Sequence, residues 1–126
     1  MIVQTKQQQE IIDITKDIPV PAGEGTITIF SQHTTCALII NEHETNLAQD
    51  LLEAYKQLIK PNGWKHDTID NNAQAHIIAS LLSPSVTIPY ENGKLTLGTW
   101  QRVLLIELDG PKKRTITTQA ITNTKT

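Results

Sequence analysis

Ser83-Pro84-Ser85-Val86-Thr87-Ile88-Pro89-Tyr90-Glu91-Asn92-Gly93-Lys94-Leu95-Thr96-Leu97-Gly98-Thr99-Trp100-Gln101 reads as two short β-rich runs, Val86 to Ile88 and Lys94 to Leu97. A turn at Glu91-Asn92-Gly93 joins them. The second run breaks at Gly98, and a glycine at a strand end marks a bulge or a close backbone approach. Trp100 and Gln101 follow at once, an aromatic face and an amide placed to read whatever approaches. Downstream, Gln101 to Leu108 is a long apolar run and Asp109-Gly110-Pro111 a turn signature. Arg114 to Thr122 then alternates through Ile116, Thr118, Ala120 and Thr122.

Upstream of the quoted stretch, the spacing predicts a helix over Ala73 to Leu82, with Asn71 or Asn72 at its N-cap and Ser83-Pro84 as its stop. A longer helix is predicted from Glu44 to about Lys60. Leu47, Leu51, Tyr55, Leu58 and Ile59 recur there at intervals of three and four, with Glu53 and Lys56 on the other side. Glu44 or Thr45 would cap it, and Pro61-Asn62-Gly63 ends it. Trp64 to Asn72 is irregular and polar. Thr26-Ile27-Thr28-Ile29-Phe30 alternates cleanly as a half-buried strand, and Cys36 to Ile40 forms another. Ile2-Val3-Gln4-Thr5 and Ile11-Ile12-Asp13-Ile14 place strands in both halves of the first segment. The expected fold is α+β, a mixed, mostly antiparallel sheet with two helices packed on one face. With 126 residues and no linker or composition shift, residues 1–126 form one domain. Its uncovered sheet face would favour self-association.

Composition excludes several classes of function. A formal charge of −2 gives no electrostatic case for nucleic acid. No run approaches the ~20 apolar residues of a membrane span, and Met1-Ile2-Val3-Gln4-Thr5 lacks the shape of a signal peptide. The single cysteine, Cys36, rules out an internal disulfide and suits a reducing compartment. These features together give the expectation of a soluble, cytoplasmic protein.

His33, His66 and His76 are the candidates for chemistry, because neutral imidazole is both a common metal ligand and a proton carrier near neutral pH. They could act as acid and base or jointly hold a divalent metal such as zinc, magnesium or manganese. Ordinary readings compete. His66, between Lys65 and Asp67, reads equally as a solvated loop residue, and His76 as decoration of its helix start. No HExxH or CxxC spacing is present. Ser31, Thr34, Thr35, Gln101 and Arg114 are suited to anion binding, through hydroxyls, an amide and a two-pronged guanidinium. Glu107 lies in a strand otherwise made of Val, Leu and Ile, where an unpaired charge is expensive. Its expected partner is Arg114 or Arg102. Cys36, in an apolar run, reads as a buried small hydrophobe rather than a nucleophile.

Beyond these physical readings, the chain resembles the YjbQ family, a secondary thiamine-phosphate synthase group. The matching elements are Ser31-Gln32-His33-Thr34-Thr35 with Asn41-Glu42, Trp64-Lys65-His66-Asp67, Asn72-Ala73-Gln74-Ala75-His76, Ser85 through Gln101, and Glu107-Leu108-Asp109-Gly110-Pro111 through Arg114. The resemblance implies a small α+β domain with a curved sheet, assembled as a homotrimer. It implies a polar pocket near subunit contacts that gathers the histidines with Gly98 to Gln101. The implied activity is weak thiamine-phosphate synthesis from a pyrimidine-methyl pyrophosphate and a thiazole phosphate, so a phosphorylated metabolite is the expected ligand. His33, His66 and His76 would be catalytic, and Ser31, Thr35, Asn72, Thr99, Trp100, Gln101 and Arg114 would contact substrate. Two other functions stay open, metal-assisted hydrolysis of a phosphorylated metabolite and non-catalytic capture of a small anion. The chain departs from the family at Thr68-Ile69-Asp70-Asn71, a short loop that sets the geometry of His66 relative to His76.

Overall fold

The computed structural model describes residues 1–124. Strands β1 (Ile2–Gln4), β2 (Glu10–Asp13), β3 (Gly25–Ser31) and β4 (Cys36–Asn41) precede helices α1 (Thr45–Leu58) and α2 (Ala73–Leu82). Strands β5 (Ser85–Glu91), β6 (Lys94–Leu95), β7 (Arg102–Glu107) and β8 (Lys113–Thr122) complete the chain. The strands form two sheets that curl around a shared core, one ordered β1-β8-β3-β5-β6 and the other β2-β7-β4. Every strand pair among the described residues is antiparallel. The fold is thus the expected α+β arrangement with a mostly antiparallel, curved sheet, and no parallel pair occurs among the described residues.

Side-chain alternation explains the layers. On β7, Val103 and Leu105 face the five-stranded sheet and join Ile27, Ile29, Ile88 and Ile116 in one cluster. Leu104 and Ile106 face the other way, toward Ala75, Ile78 and Ala79 of α2, Leu52 and Tyr55 of α1, and Ile59 just beyond its end. Both faces of β7 are thus covered, which is why it reads as an unbroken apolar run. The helices cover only the three-stranded sheet, and the outward face of the five-stranded sheet is bare.

Local signals account for the helix limits. Glu44 caps α1 through its carboxylate, accepting from the N–H groups of Asn46 and Leu47. Leu58, expected on the apolar face, is instead 76% exposed, and Leu52 packs inward. Asn72 occupies the N-cap position of α2 without a side-chain capping bond. Asp67 supplies the missing acceptor, its Oδ1 taking the Ala73 N–H at 3.1 Å.

Gly98 is not a bulge within a strand. Strand β6 ends at Leu95, and Gly98 opens a separate turn in which its N–H donates to Gln101 Oε1 at 2.8 Å. The group that approaches this glycine is the chain's own Gln101 amide. No helix among the described residues is long and apolar enough to cross a membrane.

Candidate functional site

Strand β3 ends in one sheet and β4 begins in the other, so Ser31 to Thr35 crosses between them at the end of the molecule that carries Glu107. The end of α2 is tied into this crossing. Ser31 N–H donates to the Pro84 carbonyl at 2.8 Å and Leu38 N–H to the Ser83 carbonyl at 3.0 Å. The Lys65–Thr68 3-10 turn is pinned beside the start of α2 by Asp67, which also accepts from Trp64 N–H at 3.2 Å. These connections bring the three histidines to one region.

His76 separates two cavities. One, about 540 Å³, is lined by Trp64, Lys65, His66, Ala73, His76 and Ile77. The other, about 340 Å³, is lined by His33, Thr34, Cys36, His76, Ala79 and Ser80. The rings of His66 and His76 meet edge to face, with centroids 4.9 Å apart and planes at 84°. Trp64 is held by its indole N–H on the Lys60 carbonyl at 2.9 Å and by the Lys60 ammonium 4.5 Å over its ring.

Hydrogen bonding fixes the protons on two of the histidines. His33 Nε2 accepts the Thr115 backbone N–H at 2.7 Å. A backbone N–H only donates, so neutral His33 carries its proton on Nδ1. Burial, and then the positive charge of Arg114, push the His33 pKa below its ordinary 6.5. His33 is therefore a neutral hydrogen-bond donor. At His66, Nε2 lies 3.0 Å from Asn72 Oδ1, and Asn72 Nδ2 donates to Asp109 Oδ2 at 3.0 Å. Burial opposes ionisation of Asp109, yet hydrogen bonds from Asn72 and Lys112 prevail and hold its carboxyl below the usual value. An ionised carboxylate only accepts, so the Asn72 amide can turn only its oxygen toward His66. His66 consequently donates from Nε2, so its neutral tautomer is the one with the lone pair on Nδ1. One imidazole is fixed as a donor through Nδ1 and the other left with an acceptor at Nδ1.

Three of the anion-binding residues expected from the sequence, Ser31, Thr35 and Arg114, serve the interior instead. Arg114 is 1% exposed and donates from Nε to Glu107 Oε1 at 2.9 Å, while its Nη2 reaches Glu107 Oε2 and Thr35 Oγ1. Of the two arginines weighed for Glu107, Arg114 is the partner, and Arg102 pairs with Asp13 at 2.7 Å. Ser31 is buried with its hydroxyl on Cys36 Sγ at 3.2 Å, and burial pushes the Cys36 thiol pKa up. None of Ser31, Thr35 and Arg114 lines either histidine cavity.

Thr99, Trp100 and Gln101 are also apart from the histidines within one chain. They precede β7 at its Arg102 end, whereas the histidines gather beyond its Glu107 end. At ~3.3 Å per residue the strand separates the two by about 20 Å. Trp100 is 71% exposed, and the aromatic wall of the site is Trp64. Its adjacency to Lys65-His66 was the available sequence signal. The three-histidine metal centre is not assembled either. Among the described residues no three His, Cys, Asp or Glu side chains converge to hold an ion, and Thr115 occupies His33 Nε2. Zinc, magnesium or manganese at His33, His66 and His76 together does not fit this arrangement.

Residues 1–123 match the family described as UPF0047 protein YjbQ-like. A UPF0047 protein of Archaeoglobus fulgidus is 44% identical over 124 residues, covering 96% of this chain and 98% of that protein. The crystal structure of a YbjQ-like protein of unknown function from Sulfolobus solfataricus superposes with a TM-score of 0.91 at 38% identity, covering 98% of this chain and 94% of that one. A hypothetical protein from Aeropyrum pernix gives 0.90 at 35% identity, covering 98% and 96%.

Proposed function

The chain belongs to the YjbQ-like UPF0047 family, and from that premise we propose that it is a small-metabolite enzyme with histidine acid–base chemistry. One observation carries the reading: His33 and His66 are locked in opposite protonation patterns on either side of His76. Fixed protons of that kind hold a hydrogen-bond donor ready for a step in which negative charge develops on a leaving oxygen.

The reaction proposed is weak thiamine-phosphate synthesis. The thiazole nitrogen lone pair forms a bond to the pyrimidine methylene carbon as the carbon–oxygen bond to pyrophosphate breaks. The electron pair of that bond leaves on the pyrophosphate oxygen. His33 Nδ1–H is a donor for that oxygen, and Trp64 offers a face to a planar ring. With Arg114 turned inward, Lys65 is the cation lining the cleft.

Burial of Ser31, Thr35 and Arg114 favours a second reading, capture of a small anionic metabolite without turnover, because the cleft lacks a full cradle for a leaving pyrophosphate. Pyrophosphate release and thiamine phosphate formation, measured in wild type and in the His66→Gln and His76→Gln variants, separate the two. The enzyme reading expects turnover that falls about 100-fold or more in folded variants. Saturable binding with no turnover in wild type supports capture.

A homotrimer belongs to the same proposal. The exposed Trp100 and the bare outer sheet face are the surfaces that support it.

A further inference from the structure

A larger cavity, about 680 Å³, contains no histidine. Gln7, Gln8 and Gln9 from the loop between β1 and β2 line it, with Asn62, Asn71 and Gln74 from around the two helices. Asn72 and Asp109 also line it and anchor His66, so the two sites share those residues. We propose that this cavity is a second binding site, for an uncharged polyhydroxylated compound of the sugar or polyol class.

The chemistry of the wall selects that class. A carboxamide offers both a donor and an acceptor, and a hydroxyl is the ligand group that answers both at once. The charged groups, Lys56 and Asp109, are of opposite sign, so the wall gives an anion no net attraction. No aromatic side chain lines it, which removes the stacking surface a planar heterocycle would use. Gln9 supplies an independent observation. Its Oε1 is buried with no hydrogen-bond partner, the only such side-chain atom among the described residues. An unmade bond at a buried acceptor is costly, and the terminal amide torsion of glutamine is soft. A ligand hydroxyl can recruit this amide by a small rotation.

The test uses the whole chain, labelled with 15N, titrated separately with ribose, glucose, glycerol, myo-inositol and inorganic phosphate while side-chain amide signals are followed. At least one neutral compound should shift the Gln9 and Asn62 signals saturably, and phosphate should not. Gln9→Met preserves shape while removing the orphaned acceptor. It should weaken binding about tenfold or more with an unchanged or raised Tm. Asn62→Ala, at an exposed position, should weaken the same binding and provides the test if Gln9→Met does not fold. Absence of binding by every neutral compound, undiminished binding in the folded variants, or saturable shifts with phosphate alone would overturn the proposal.

Discussion

Glu107 shows how a charge is tolerated at zero exposure. Thr5 and Arg114 donate to its Oε1, and Arg114, Leu108 N–H and Asp109 N–H to its Oε2. Burial alone would raise its pKa, but these donors, led by Arg114, bring it below the usual value. A depressed folded pKa contributes stability above the unfolded value of 4.5, and that stability is lost as pH falls through the folded value. Glu107→Gln strands the Arg114 charge in the interior. It should cost about 3–5 kcal/mol and lower Tm by roughly 10–20 °C at pH 7. The gap from wild type should narrow below pH 4.5, and thermal melts across pH check both effects. His33 follows the same sign, since its pKa is also depressed: it contributes stability above 6.5 that is lost on acidification. At His66 the decisive residue is Asp109. Asp109→Asn leaves the Asn72 amide free to present either end, so part of His66 should shift from the Nε2–H to the Nδ1–H form. Imidazole 15N shifts report this directly, and His33, fixed by a backbone N–H, should not change. An unaltered His66 tautomer in the variant would break the chain from Asp109 through Asn72.

At the scale of elements, Gly110 links two loops. Its N–H donates to the Gln8 carbonyl at 2.9 Å, and a Cβ placed there would stand 2.3 Å from the Gln7 carbonyl and 2.8 Å from Glu107 Cγ. Gly110→Ala must therefore push the β1–β2 loop off the Glu107 network. A loss of roughly 1–3 kcal/mol, measured by urea unfolding, is expected. The elements themselves were largely legible in the sequence because their signals are local. Alternation at Thr26 to Phe30 and the bounded helix at Ala73 to Leu82 each express a period of two or of 3.6. The Glu107–Arg114 pair was also legible, because a carboxylate in an apolar strand demands a counter-charge. The relay Asn72–Asp109 and the bond from Thr115 to His33 were not, because they join residues 37 and 82 positions apart. Distances of that kind depend on how sheets and helices pack, and no local period encodes them. The placement of Gly98 to Gln101 within the single chain was illegible for the same reason. The composition of that stretch suits a binding turn, but a single strand carries it away from the histidines.

For the whole molecule, the question is what covers the five-stranded sheet. Ile2, Phe30 and Ile121 are 69%, 43% and 69% exposed, and strand register sets all three on the outward face. Phe30 lies opposite Thr117, Ile121 opposite Thr26, and Ile2 opposite Thr115, so the surroundings are threonines, with few charges to oppose contact. Exposed apolar side chains set among uncharged β-branched neighbours are suited to burial between copies of the chain, and around a three-fold axis one part of this face would meet a different part of the next copy. Light scattering coupled to size exclusion should then give three times the 14.0 kDa chain mass for the wild type. Phe30→Asp tests the face itself. In an isolated chain the position is partly solvated, and the substitution should change stability by no more than about 0.5 kcal/mol. In a trimer built through this face it places a carboxylate in the contact of every subunit and should yield a folded monomer. A wild type that elutes as a monomer would overturn the assembly. A variant that stays trimeric would move the interface to another surface, with the exposed turn at Trp100 the next to mutate.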